Sequence, residues 1–354
     1  MSKLLNLLDK KEKSMYIFVM KLLILIAIFI LCCQTREETS NKEFNHNNEI
    51  TFYDISDYDI SEIQDTEPVT DTGFKEKYEC KMFNLNLSEN NDNTDIYLPI
   101  TQNEQFYLIL LLQGSDLSKK NYSLISERIC NYGFAVAVFD HYKESFSGKH
   151  LYSEQNATNE IFYKIIDQSE KKDSFLFGKI KKDKFILFGH SYGAGCGLFM
   201  IGNECKWPFC SDKYERPDEL SGGIFYGISL KSPYGETYYK INNENIPVLL
   251  IGGDNDGAIK YEYAEKTFES IENPPKIFVR LKGANHYAVN DTNPPPGADA
   301  DKNIQSLNQN TGLEIISSLS AAFISEYILK DESCIGYFKR AADAFSEYIE
   351  VKTE

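Results

Sequence analysis

Hydrophobic and polar positions change period repeatedly along this chain, and the changes divide it into elements. Largely apolar runs of six or seven residues occur at 106–112 (F-Y-L-I-L-L-L), 134–139, 184–189, 222–228, 247–252 and 276–281, with Lys184, Lys276 and Arg280 the charged residues in them. Runs of that length and character predict strands buried on both faces, as in parallel sheets. Between them, apolar residues recur at helical spacing and predict helices near 119–131, 155–170, 191–202, 260–271 and 311–330. A further outer helix is expected over about 332–349. Two strands near 80–87 and 94–99 precede the series and read as an antiparallel start to the sheet. Strands alternating with helices imply an α/β domain over 73–354, with a mostly parallel central sheet covered by helices on both faces.

The first 72 residues have a different character. Lys3, Lys10, Lys11 and Lys13 precede a ten-residue apolar run at 22–31, and Cys32 and Cys33 follow. A basic region ahead of an apolar core this short predicts an export signal in 1–33, because a membrane span needs about 20 apolar residues. From Met20 the run M-K-L-L-I-L-I-A-I-F-I-L-C-C resembles a complete lipoprotein signal, and translation is expected to start at Met15 or Met20. Leu31 replaces the small residue such signals carry before the lipidated cysteine. Lipidation at Cys32 or Cys33 therefore stands beside an uncleaved anchor and plain secretion. Residues 34–72 hold eleven Asp and Glu against Arg36 and Lys42, and read as an acidic disordered tether with no binding role.

Charge narrows the function classes. The chain carries −16, and without residues 1–33 (five lysines against Asp9 and Glu12) it carries −19. That balance argues against nucleic-acid binding and against anionic substrates. Six cysteines lie beyond the signal. In an oxidising compartment Cys205 and Cys210 are the natural local pair, whereas Cys130 and Cys196 sit in apolar helical contexts and read as buried thiols.

The candidate chemistry sits at strand ends. The run ending at Gly189 continues as G-H-S-Y-G-A-G-C-G. A strand, a G-x-S-x-G turn and an immediate helix make a nucleophile elbow with Ser191 at its apex. Gly189 and Gly193 flank it because a Cβ there collides with the turn or a neighbouring strand. The strand at 247–252 ends in G-G-D-N-D-G, offering Asp254 and Asp256 as the acid, with a turn or helix-cap role as the competing reading for Asp254. The strand at 276–281 leads to G-A-N-H-Y, and of five histidines only His286 follows both serine and acid. After the strand at 106–112 comes Gln113-Gly114-Ser115, so the backbone N–H groups of Ser115 and Tyr192 are candidates for an oxyanion hole. Gln113 reads either as a loop residue bonding the backbone or as a group steering that hole. Asp299, Asp301 and Asn303 start like a calcium loop, but Ile304 replaces the required Gly and no Glu follows at the twelfth place. That segment is expected to be a loop bordering the cleft, and no metal site is expected.

These segments, from about Tyr78 to Ile349, together resemble the α/β-hydrolase family. The likeness is greatest to its small-capped dienelactone-hydrolase-like, chlorophyllase-like and cutinase- or polyester-hydrolase-like serine esterases. It is carried by L-L-L-Q-G-S, F-A-V-A-V-F-D-H, G-H-S-Y-G-A-G, I-P-V-L-L-I-G-G-D-N-D and L-K-G-A-N-H-Y, and by the order Ser191, Asp256, His286. The resemblance implies hydrolysis of a small or polymeric carboxylic ester through an acyl-enzyme. Ser191 is the nucleophile, His286 the base and Asp256 its orienting acid, with no cofactor. Only Leu230 to Asn245 lies where relatives insert a lid, too short for a helical cap domain, so the site is expected to be open. Tyr192, Tyr287, Tyr234 and Trp207 are candidates for its walls; for Tyr234 and Trp207 ordinary packing is the competing reading. An acyltransferase or amidase on the same residues, or a catalytically silent surface binding module, are the alternative functions.

Overall fold

The apolar runs form the centre of one nine-stranded sheet. In this computed structural model, residues 75–87, 93–145 and 148–354 are described; the expected export signal at 1–33, with Cys32 and Cys33, and the tether at 34–72 lie outside them. Every element named below lies within one compact unit of the chain.

Its strands are β1 (Cys80–Asn86), β2 (Asn93–Pro99), β3 (Phe106–Leu112), β4 (Ala135–Phe139), β5 (Ile180–His190), β6 (Leu220–Tyr226), β7 (Val248–Gly253), β8 (Lys276–Leu281) and β9 (Ile349–Thr353). They lie in the order β1-β2-β4-β3-β5-β6-β7-β8-β9. The block from β4 to β8 is parallel, while β1, β2 and β9 pair antiparallel with their neighbours. Among the described residues six α-helices accompany it: α1 (Ser123–Asn131), α2 (Gln155–Glu170), α3 (Tyr192–Ile201), α4 (Tyr261–Glu269), α5 (Gln309–Phe323) and α6 (Tyr337–Ala344).

The continuous apolar runs are explained by cover on both sheet faces. Along β3, Ile109 and Leu111 join a core with Ile125 and Ile129 of α1, Leu313 and Ile316 of α5 and Phe338 of α6. Leu108, Leu110 and Leu112 join the opposite core with Ile161 of α2, Leu198 and Phe199 of α3 and Phe268 of α4. Each such side chain contributes about 1.5–3 kcal/mol by leaving water.

Three expectations are corrected. The helix expected over 332–349 is shorter: α6 stops at Ala344, and Ile349–Thr353 forms β9 against β8. The stretch I-E-V-K-T alternates apolar or β-branched residues with charged ones, and a free sheet edge selects that period over the helical one. The helix expected over 311–330 is α-helical only to Phe323 and continues as a π-turn, Ile324–Ile328. Cys130 is not a free thiol but is bonded to Cys80, their Cα atoms 5.9 Å apart. Helix α1 packs on β1 and closes this separation of 50 residues. Cys205 and Cys210 are bonded as expected, and Cys196 and Cys334 are free and buried.

Candidate active site

The C-terminal ends of β3, β5, β7 and β8 converge on one place. The connection from β3 to β4 runs one way along the sheet and that from β4 to β5 runs back past β3, and a crevice opens at such a switch point. Strand β5 passes into α3 through one residue, Ser191, whose φ of 52° and ψ of −114° lie outside the regions ordinary side chains favour. Tight packing enforces the turn. A Cβ on Gly193 would stand 2.2 Å from the carbonyl oxygen of Leu112, and one on Gly189 would stand 2.7 Å from the Cα of Ala194.

Around this apex the side chains form an in-line chain. His286 Nε2 lies 2.8 Å from Ser191 Oγ. His286 Nδ1 lies 2.8 Å from Asp256 Oδ2. The carboxylate can only accept, so Nδ1 carries the proton and Nε2 is left to accept from the serine hydroxyl. The other oxygen of Asp256 accepts the N–H groups of Ala258 at 2.9 Å and Ile259 at 2.6 Å, which locks its orientation. Asp256 and His286 are buried, and Ser191 is half-buried. Asp254 points elsewhere: it accepts the N–H of Gly283 at 2.7 Å and pairs with Arg280 at 3.0 Å, tying the β7 and β8 loops together. Gly227, at φ +63°, follows β6 and backs the pair, since a Cβ there would lie 3.1 Å from the His286 ring.

The loop after β3 approaches the elbow from the other side. The N–H of Gly114 donates to the Tyr122 hydroxyl at 2.8 Å, and those of Asp116 and Leu117 donate to the carbonyls of Leu151 and Gly114. No protein acceptor is found for the N–H of Ser115 among the described residues. Tyr192 opens α3, so its N–H is one of the first-turn donors that lack an intrahelical acceptor. Gln113 is buried and only its carbonyl is engaged, by Ser153 Oγ at 3.1 Å. Its amide has no partner among the described residues, which corrects the reading of Gln113 as a side chain bonding the backbone.

A second histidine, singled out by no sequence argument, braces the site. His190 Nδ1 lies 2.9 Å from the Tyr122 hydroxyl, and its Nε2 lies 2.9 Å from the carbonyl oxygen of His286. Burial, then the nearby His286, hold its pKa well below the ordinary histidine value, so the ring is neutral. Nε2–H donates to His286, Nδ1 accepts from Tyr122, and the Tyr122 oxygen accepts from Gly114. This buried relay joins the loop after β3, the turn at Ser191 and the loop that carries His286. Tyr226 completes the frame by donating its hydroxyl to the carbonyl of Asn285; burial, then the charges of Asp256, Asp301 and Asp254, push its pKa well above the ordinary phenol value.

The candidate walls separate into two groups. Tyr192 packs between Tyr152 and Phe209, with ring centroids 4.9 and 4.7 Å away, and Tyr287 meets His286 edge-on at 5.5 Å. Trp207 (81% exposed) and Tyr234 (92% exposed) are not packed, which corrects the packing reading offered for both. Trp207 projects from the Cys205–Cys210 loop while its neighbour Phe209 supplies the contact with Tyr192. No helix lies between β6 and β7, where residues 227–247 form turns and isolated bridges. Among the described residues, no cluster of three or more His, Cys, Asp or Glu could hold a metal, and no helix is long and apolar enough to cross a membrane.

Comparison with models of known protein families and with curated proteins finds no match.

Proposed function

We propose that residues 73–354 form an α/β-hydrolase domain that cleaves carboxylic esters as a serine hydrolase. The observation that carries this reading is the chain Ser191 Oγ, His286, Asp256, with both hydrogen bonds at 2.8 Å. The strand order and the strained elbow support it, because a serine on a sharp turn between strand and helix is the family's device for presenting a nucleophile. In the proposed reaction Ser191 attacks the ester carbonyl as its proton passes to His286 Nε2. Asp256 stabilises the imidazolium and fixes its tautomer. The N–H groups of Ser115 and Tyr192 receive the oxyanion, the protonated histidine returns its proton to the leaving alcohol, and water then attacks the acyl-enzyme with His286 again as base. The open surroundings favour exposed or extended esters. Two disulfides suit an oxidising compartment and support the exported reading.

A fluorophosphonate probe tests the proposal on the purified domain. Adduct mapping is expected to find Ser191 modified, with labelling lost in S191A and H286A. A folded sample that leaves Ser191 unmodified sinks the hydrolase and acyltransferase readings together and favours the silent binding module. Product analysis with competing alcohols and amines separates hydrolysis from acyl transfer.

A further inference from the structure

We infer that Asp301 is a positioning residue that holds the Asp256 and His286 loops in register; the inference rests on the triad proposed above. Asp301 lies in the segment whose sequence starts like a calcium loop. Its carboxylate is filled by backbone donors instead. Oδ2 accepts the N–H of His286 at 2.9 Å. Oδ1 accepts the N–H of Gly257 at 3.0 Å and that of Asn303 at 2.8 Å, and the Gly257 N–H also lies 3.2 Å from Oδ2. Gly257 directly follows Asp256. One carboxylate therefore grips the backbone on both sides of the bond between Asp256 Oδ2 and His286 Nδ1.

The chemistry of the group fits that task. Three N–H donors converge on it, and a carboxylate offers two oxygens that only accept. Bonds to an ionised acceptor are about twice as strong as neutral ones. The fit is close, since a Cβ on Gly257 would fall 2.1 Å from Asp301 Oδ1. The flanking residues fasten the same two loops. Asn285 donates from its side chain to the carbonyl of Asn303 at 3.0 Å and from its N–H to Gln305 at 3.2 Å. The Tyr287 hydroxyl donates to the carbonyl of Asp299 at 3.0 Å, and the Asn255 amide donates to that of Ile304. Residues 299–305 thus form a strap, with Asp301 as the one side chain in it that bonds both loops.

A plain stability staple would bond the same atoms, so the test reads the reacting groups. D301N keeps the shape but turns one acceptor oxygen into a donor facing N–H groups. Turnover of a fluorogenic short-chain ester is expected to fall about tenfold or more per titrated serine, with KM within about twofold, because a small misplacement of a reacting group costs rate rather than binding. The deshielded His286 Nδ1 proton in the NMR spectrum should shift or disappear. Folded D301N with unchanged turnover per site and an unchanged proton signal overturns the inference, even if its melting temperature drops. Should D301N not fold, amide exchange of the wild type decides: protection of the His286 and Gly257 amides at the level of strand amides supports the clamp, and exchange at exposed-loop rates overturns it. A wild type that neither labels nor turns over esters fails the triad proposal alone; the proton signal and amide exchange still judge the clamp.

Discussion

Substituting Tyr122 by Phe isolates the buried relay between the loop after β3 and His286. The Tyr122 hydroxyl has no solvent contact and serves two partners, accepting from the Gly114 N–H at 2.8 Å and donating to His190 Nδ1 at 2.9 Å. Phe fills nearly the same space, so little packing is lost. It leaves an orphaned backbone donor and an orphaned ring acceptor in a site sealed from water. Each orphan costs about 1–3 kcal/mol, and sparing the hydroxyl its own desolvation offsets part of the sum. We expect Y122F to be destabilised by about 3 kcal/mol. Complete loss of an oxyanion donor costs about 10²–10³ in rate; the N–H of Ser115, the donor proposed above, is only loosened here, so a decrease of about tenfold is expected. Urea unfolding at pH 7 should be followed by far-UV circular dichroism, because the single tryptophan, Trp207, is 81% exposed and a weak reporter of the core. A stability change below about 0.5 kcal/mol with an unaltered labelling rate would refute the reasoning, since it would mean the two orphans cost nothing.

Further outcomes follow from other contacts. G193A should abolish probe labelling and cost about 3 kcal/mol or more, because the new methyl meets the immobile backbone of Leu112 at 2.2 Å; a labelling rate near wild type would contradict this. Removing the Cys80–Cys130 bond by C80S/C130S should cost about 4 kcal/mol against about 2 kcal/mol for C205S/C210S, since the loops they close span 50 and 5 residues; equal losses in denaturant titrations would count against the loop argument. Asp291 accepts the N–H groups of Ser123 and Leu124, and burial pushes its pKa up to about 6. The folded state then binds the proton more tightly than the unfolded chain, so this stabilisation is complete below the ordinary carboxylate pKa and is lost as pH rises through about 6. His190, with its lowered pKa, acts in the opposite sense as pH falls, so the comparison with D291N is the clean measure. The stability of wild type relative to D291N should drop by about 2 kcal/mol from pH 4 to pH 7, and a flat difference would show that Asp291 is not desolvated as its burial implies.

The parts of this molecule legible in its sequence are those encoded locally. The central strands are readable because burial on both faces leaves largely apolar runs, unbroken in β3 and β7 and carrying only Lys276 and Arg280 as charged residues in β8. The elbow is readable because its strain and close packing demand glycine at 189 and 193. Ser191, Asp256 and His286 each follow such a strand directly, so their meeting follows from strand order alone. Nothing local separates Asp254 from Asp256; the choice depends on Arg280 and Gly283, which engage the former. The relay through Tyr122 and His190 joins residues 68 positions apart, and its only faint signal is a histidine at the end of a buried strand. Asp301 was visible only as part of a failed metal pattern, because a cluster of acceptors looks alike whether it serves a cation or backbone donors. The Cys80–Cys130 bond and the pairing of β9 have a different obstacle: each needs a partner that only the assembled sheet supplies.

The added edge strand β9 gives the far end of the sequence a stake in the site. It pairs with β8 along its length, from Ile277 opposite Thr353 to Leu281 opposite Ile349, and the N–H of Lys282 donates to the carbonyl of Tyr348 at 2.8 Å. Strand β8 delivers the loop that carries His286. Trimming the chain at residue 348 would therefore expose the hydrogen-bonding edge of the strand that aims the histidine, and the charged residues Glu350 and Lys352 that now guard that edge would be gone. A tag or fusion placed there is an intervention in the register of the imidazole, and the first symptom of a poorly chosen one should be lost labelling of Ser191 together with edge-to-edge association.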